Sequence, residues 1–144
     1  MPNKKAKPIL ADPKIQASWF ARVREARQTE TKEDYVELIA DLIEANKEAR
    51  LSDLATRLGV SHPTASKVVA RLKDEGYINS QPYRSIFLTE KGQKLAERCK
   101  ARHQIVLDFL IRLGVDHKTA EFDAEGIEHH ISDQTLKIME SFKS

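Results

Sequence analysis

The segment AEGIEHH, residues 124–130, concentrates carboxylate and imidazole side chains that can bind a metal ion. If this segment is helical, Glu125, Glu128 and His129 are related by i, i+3 and i+4 and project from one face. Their order and spacing differ from those of the HExxH zinc motif. The segment therefore indicates either a metal site of another kind or a solvated acidic face.

Asp34 and Glu37 form a second acidic pair, at i and i+3 near the start of a predicted helix, and His103 lies in the middle of another helix. Each feature has an ordinary explanation, because acidic residues in a first helical turn favour the helix dipole and a lone histidine is usually packed or solvated. Acidic residues this close together without interleaved lysines nevertheless repel each other. A positively charged partner is expected to offset that repulsion.

The elements between these residues have the order of a winged helix-turn-helix, three helices followed by two short strands around a turn-rich loop. Gly59 supplies a left-handed turn after the second helix, and Ser61 is placed to cap the third. The predicted helices cover residues 34–46, 52–58 and 61–75, and the strands with their loop cover 77–89.

The third helix is the predicted recognition helix, because it presents short donors and acceptors and basic side chains that can approach base edges and phosphates. An arginine at the wing tip can enter a minor groove or contact phosphate. The alternative is an ordinary solvated helix in a helical bundle. The candidate DNA contacts are Ser61, His62, Thr64, Ser66, Lys67, Arg71 and Arg84.

The flanking segments complete a mainly α-helical fold. Residues 1–13 read as a flexible arm and 14–28 as a short helix, while Thr89 can cap a long helix that runs to Leu113. Two further helices are expected in residues 115–144, separated near Ser132. That tail is too small to bury its own apolar residues, so we expect a second subunit to cover it.

Composition restricts the class of protein. The chain has 144 residues and a net charge of +2, with one cysteine, so no intrachain disulfide can form and a reducing cytoplasm is expected. Residues 1–30 hold seven Lys/Arg against three acids, 7 − 3 = +4, whereas residues 101–144 hold five against eight, 5 − 8 = −3. No apolar run approaches the roughly 18 residues that a membrane span needs, so no membrane partner is expected.

Several separated motifs, in the right order, resemble the diphtheria toxin repressor family of metal-dependent transcription regulators, and in particular its manganese-responsive members. The similarity covers about residues 33–142. It is carried by EDYVELI, RLGVSHPTASKVVARLKDEGYI, RHQIVLDFLIRLGV and DAEGIEHHIS.

The resemblance implies a homodimer that binds a double-stranded operator and represses manganese uptake genes when a binuclear manganese site is filled, two ions per subunit. Together with the charge and spacing of the N-terminal segment, it gives three predicted regions: residues 1–30 as a basic arm with a possible short helix, 31–90 as the winged helix-turn-helix, and 91–144 as a helical metal-binding and dimerisation domain. The implied ligands are Asp34, Glu37, His103, Glu125, Glu128 and His129. Such an oxygen-rich set without thiolate suits manganese better than copper or zinc.

Other functions are weaker alternatives. Iron-responsive relatives resemble this chain but place cysteine where Glu125 stands and methionine where Asp34 stands. The alternative function is therefore a winged-helix regulator that responds to iron or to another ligand. Cys99 lies one turn before His103, and a buried or half-exposed thiol is favoured over a ligand. An enzyme is not expected, because a catalytic metal site needs an open position and a substrate cleft, and no nucleophile or glycine-rich loop is apparent.

Overall fold

The computed structural model describes residues 7–81 and 84–142, so the predictions for residues 1–6 lie outside the described part. Three α-helices come first, a two-stranded sheet follows, and three further α-helices complete the part of the chain that the structure describes. This confirms the predicted mainly α fold with a two-stranded wing. The helices are α1 Pro13–Asn46, α2 Leu51–Leu58, α3 His62–Asp74, α4 Glu90–Arg112, α5 His117–Ile127 and α6 Asp133–Ser141; the strands are β1 Ile78–Asn79 and β2 Phe87–Leu88.

α1 is one continuous helix of 34 residues. The prediction of a short helix over 14–28, separate from the helix over 34–46, is therefore wrong. The intervening residues contain neither glycine nor proline, and the hydroxyl of Thr29 donates to the carbonyl of Glu25, 3.1 Å away, within the helix. Asp12 caps the N-terminus of this helix by accepting from the backbone N–H of Lys14 at 2.9 Å. Because no glycine or proline interrupts the residues between the two predicted helices, they join into one.

The helix-turn-helix forms as its local sequence predicts. Gly59 has φ +68°, and the hydroxyl of Ser61 accepts from the backbone N–H of Thr64 at 3.2 Å. The strands β1 and β2 are antiparallel, with Ile78 opposite Leu88. The helices and the wing enclose one core, whose fully buried members include Ile39, Leu54, Ala65, Leu72, Ile78 and Ile86.

α4 connects this core to the C-terminal helices. Thr89 caps α4 as predicted, and its hydroxyl also donates to the carbonyl of Gly76 at 2.6 Å. Gly92 in the first turn lies so close to the backbone carbonyl of Tyr77 that a Cβ would overlap it. The first half of α4 packs against Val36 of α1. Its second half, with Val106 and Leu107, forms another core with Ala120 and Ala124 of α5.

Large apolar side chains remain exposed at both ends of the chain. Trp19 and Phe20 on the N-terminal half of α1 are more than half exposed, as are Phe122 on α5 and Ile138 on α6. Among the described residues, no helix combines the length and apolarity that crossing a membrane requires.

Candidate metal centre

Two groups of carboxylates and imidazoles meet where α1, α4 and the end of α5 come together. In the first group, Nδ1 of His103 lies 3.2 Å from Oε2 of Glu128 and 3.5 Å from Oε1 of Glu125. One potential ligand atom from each of these three residues lies within 4.8 Å of the other two. α4 supplies the imidazole, and the chain around the end of α5 supplies both carboxylates.

The second group combines α1 with the residue that follows Glu128. Nε2 of His129 lies 2.9 Å from Oδ1 of Asp34 and 3.2 Å from Oε1 of Glu128. Glu128 therefore stands between the two imidazoles, with one carboxylate oxygen toward each. Glu30, one turn before Asp34 on α1, belongs to this second group as well.

Several buried polar atoms in the cluster have no hydrogen-bond partner among the described residues, and such atoms are costly. Glu128 is 1% exposed and His129 is 6% exposed. The orphaned atoms are Oε2 of Glu37, Nδ1 of His103, both carboxylate oxygens of Glu128 and both ring nitrogens of His129. Donor atoms this well buried and this close together fit a bound cation.

The pKa values of the two buried glutamates reflect burial first and the crowding of like charges second. Burial raises the pKa of Glu128 to about 8, and the neighbouring charge of Glu37 adds to the effect. Burial and the charge of Glu125 raise the pKa of Glu37 to about 7; Glu37 has an orphaned buried oxygen, but it belongs to neither of the two groups. Burial acts to lower the pKa of His129, but the close carboxylates of Asp34 and Glu33 outweigh it and raise the pKa to about 10.

Each imidazole of the cluster also contacts an outer carboxylate through its other nitrogen. Nε2 of His103 is 3.1 Å from Oε2 of Glu121, and Nδ1 of His129 is 3.7 Å from Oε2 of Glu33. A hydrogen-bonded outer carboxylate such as Glu121 fixes the tautomer and the ring orientation of a metal-binding histidine, whereas Glu33 is too far from Nδ1 of His129 for a hydrogen bond. The thiol of Cys99 donates to Glu33 at 3.1 Å, so Cys99 supports the outer partner and does not point into the cluster.

Glu128 and His129 do not lie on the α-helix that carries Glu125, as the i, i+3, i+4 argument assumed. α5 ends at Ile127, and residues Glu128–His130 form a 3-10 turn. Arg102 of α4 holds this turn: its Nη2 donates to the carbonyl of Glu128 at 2.9 Å and to that of Ile131 at 2.6 Å. The tighter turn directs Glu128 and His129 toward α1 and α4, and the guanidinium satisfies carbonyls that the end of the helix leaves free.

All seven predicted DNA-contact residues are exposed. His62, Ser66 and Arg84 line one groove between α3 and the wing, together with Arg50, which no sequence motif marked as a candidate. Arg71 lies elsewhere, in a cleft that α3 forms with Gln28 and nearby residues of α1. Lys73 donates to the carbonyl of Ser80 at 2.7 Å and so links α3 to the wing.

Fold and site together define a class: a winged-helix protein whose helical second half carries a buried carboxylate–imidazole centre. Residues 28–86 match the family described as "Iron dependent repressor, N-terminal DNA binding domain", and residues 89–143 match "Iron dependent repressor, metal binding and dimerisation domain". The chain belongs to this family of iron-dependent repressors. It therefore contains a DNA-binding domain followed by a metal-binding and dimerisation domain.

Individual relatives agree with this assignment. The chain is 47% identical over 141 residues to "Transcriptional regulator MntR" of Escherichia coli O157:H7, covering 98% of this chain and 91% of that protein. It is 41% identical over 104 residues to "HTH-type transcriptional regulator MntR" of Bacillus subtilis (strain 168), covering 72% of this chain and 73% of that protein.

Solved structures show the same fold. "Manganese-dependent transcriptional repressor complex with manganese" is 28% identical with a TM-score of 0.70, covering 76% of this chain and 51% of that chain. "Structure of the manganese regulator SloR" is 29% identical with a TM-score of 0.67, covering 77% of this chain and 52% of that chain. The protein thus spans about half the length of these solved chains.

Proposed function

We propose that this protein is a manganese-responsive repressor of transcription and has no catalytic role. The observation that carries the proposal is the set of orphaned, buried donor atoms on Glu37, His103, Glu128 and His129, which come from both halves of the chain. The relatives named above are regulators, and two of the similar structures are described as manganese-dependent or manganese regulators.

The proposed ligands are the six residues that the family pattern assigns: Asp34, Glu37, His103, Glu125, Glu128 and His129. They supply four carboxylates and two imidazoles, a hard set without thiolate that suits manganese. The two groupings of these side chains support two ions per subunit, with Glu128 between them. Two divalent cations bring four positive charges, which balance the four carboxylates.

Charge balance gives the switch its physical basis. Asp34 and Glu37 lie on α1, whose later residues Ile39 and Leu42 are buried in the core of the DNA-binding domain. Glu125, Glu128 and His129 belong to the C-terminal half. Without cations, four clustered carboxylates repel one another across the two halves; bound cations draw them together and fix the geometry of the recognition helix relative to the dimer.

On the DNA side, we propose that a homodimer binds a double-stranded operator with half-sites about one helical turn apart or a multiple of it. The proposed regions are a basic arm over 1–30, a winged helix-turn-helix over 31–90 and a metal-binding and dimerisation domain over 91–144. The regulated genes are expected to include manganese uptake genes, and the protein is expected to act in the cytoplasm. The proposed contacts are Ser61, His62, Thr64, Ser66, Lys67, Arg71 and Arg84.

Fluorescence anisotropy of a labelled operator, with chelated protein and a panel of divalent metals, tests this function. Manganese should support tight binding, and zinc at matched site occupancy should support it poorly because zinc favours a four-coordinate tetrahedral site. Glu125→Gln should weaken the manganese response, whereas Asp123→Asn removes the same charge from an exposed position of α5 and should not. Equal DNA binding with and without chelator would contradict a metal switch, and a response to iron(II) alone would favour the iron alternative.

A further inference from the structure

Glu30 stands on the same face of α1 as Asp34, four residues earlier, and its side chain is 30% exposed. It is outside the set of six ligands, and in the predicted secondary structure it lay between two separate helices, with no relation to Asp34. Because α1 is continuous, the carboxylate of Glu30 reaches the turn that carries His129. One ligand atom each from Glu30, Asp34 and His129 lies within 4.8 Å of the other two.

These distances suit a shared cation. Metal–oxygen and metal–nitrogen bonds of about 2.2 Å allow ligand atoms to be up to about 4.4 Å apart, so the three groups need to move by only a few tenths of an ångström. An independent observation also points to a ligand here. Nε2 of His129, a residue that is 6% exposed, lies 2.9 Å from Oδ1 of Asp34 but makes no hydrogen bond of acceptable geometry with any described residue.

We propose that Glu30 is a further ligand of the metal ion held by Asp34 and His129. The proposal rests on the function proposed above and goes beyond it, because it adds a fifth carboxylate to the centre. With Glu30, α1 supplies three carboxylates to the centre instead of two. The Asp34–His129 position gains one negative charge and binds a hard divalent cation more tightly than it would without Glu30.

The structure also gives Glu30 another partner, and the experiment must separate the two roles. Oε2 of Glu30 lies 2.8 Å from Nε2 of His130. A carboxylate has two oxygens, so Glu30 can contact His130 and a cation together. If Glu30 served only as a latch that holds the 3-10 turn to α1, removing either partner of the Glu30–His130 pair would have the same effect on metal binding.

Binding of manganese(II) to the full-length protein can be measured by electron paramagnetic resonance of the free ion, in wild type, E30Q, H130Q and the control E25Q. Glu25 is an exposed residue of α1. We expect E30Q to weaken one of the two binding steps by about tenfold or more, since even loss of an outer partner of a metal site costs that much. H130Q and E25Q should stay within about threefold of wild type.

Two results would overturn the proposal: E30Q binding like wild type, or H130Q weakening manganese binding as much as E30Q does. Thermal unfolding of the metal-free variants checks that each is folded. Failure of the proposed function would look different, because wild type itself would then bind no manganese or would bind DNA equally with and without it.

Discussion

Arg102 offers the sharpest test of how the fold presents the centre, because it holds the turn from which Glu128 and His129 project. The change to examine is Arg102→Met, which keeps the aliphatic stem and removes the guanidinium. Three acceptors then lose their donor: the carbonyls of Glu128 and Ile131 and the carboxylate of Asp133. Arg102 itself is 17% exposed, so its bonds to the two carbonyls are shielded from water.

The expected magnitude follows from these contacts. A hydrogen bond from a charged donor contributes about 1.5–3 kcal/mol. The bond to Asp133 is discounted, because that side chain is 88% exposed. Two partly buried carbonyls therefore give an upper limit of about 6 kcal/mol. Since water can reach the turn once the guanidinium is gone, we expect the free energy of unfolding to fall by about 2–4 kcal/mol.

Urea unfolding of the chelated protein measures the stability change, and manganese titration measures the effect on the site. Arg98→Met is a matched control, because Arg98 lies one turn earlier on α4 and is exposed. Arg102→Met should also bind manganese about 10- to 100-fold more weakly, the loss expected when a support of a metal ligand is removed. Arg102→Lys should fall in between, because an ammonium group cannot reproduce the planar fork. If Arg102→Met matches Arg98→Met in both assays, Arg102 does not hold the turn.

Three further predictions follow from the same structure. Gly92→Ala should lower the free energy of unfolding, measured by urea titration, by about 1–3 kcal/mol, because a Cβ would overlap the carbonyl of Tyr77. The control Gly126→Ala, with open space around its Cβ, should be neutral or stabilising by up to about 1 kcal/mol in the same titrations. Glu125→Cys should shift the DNA-binding response from manganese toward softer ions while circular dichroism and sedimentation stay unchanged, and an unchanged manganese response would exclude Glu125 from the regulatory site. Deleting residues 1–28, which hold seven Lys/Arg and two acids, should make operator affinity less dependent on salt concentration and leave the preference for the operator sequence intact. Loss of that preference with an unchanged salt dependence of affinity would contradict a purely electrostatic role of the arm.

The parts of the fold that depend on local chemistry could be predicted from the sequence. Ser61 and Thr89 cap their helices, and Gly59 adopts its left-handed turn, because each acts within four residues along the chain. The extent of α1 was harder to predict. The apolar spacing before residue 30 predicted a separate helix. The structure instead continues α1 through this region, because no helix-breaking residue interrupts it, although the buried residues of α1 begin only at Glu33.

For the centre, residue type, spacing and the family resemblance selected six side chains, five of which the structure places in two groups, but the outer groups were missed. Glu121 precedes Glu125 by four residues and Glu30 precedes Asp34 by four, so helical spacing held a usable signal in both cases. The roles of Glu33 and Arg102 depend on contacts across 66 and 26 residues of chain, with Cys99 and with Glu128. No local pattern encodes such contacts.

The unbroken α1 also makes the centre a pivot. Asp34 and Glu37 are separated by about 4.5 Å along the helix axis, and Pro13 lies about 32 Å from Asp34 at 1.5 Å per residue. Suppose that the bond between a bound cation and one of these two proposed ligands lengthens by about 0.3 Å, which is the difference between a small and a large divalent ion. The axis then rotates by about 4°, and the N-terminal end of the helix moves by about 2 Å. A difference in the radius of the bound ion would thus change the direction of α1, and the N-terminal end of the helix would move the most because it is farthest from the site.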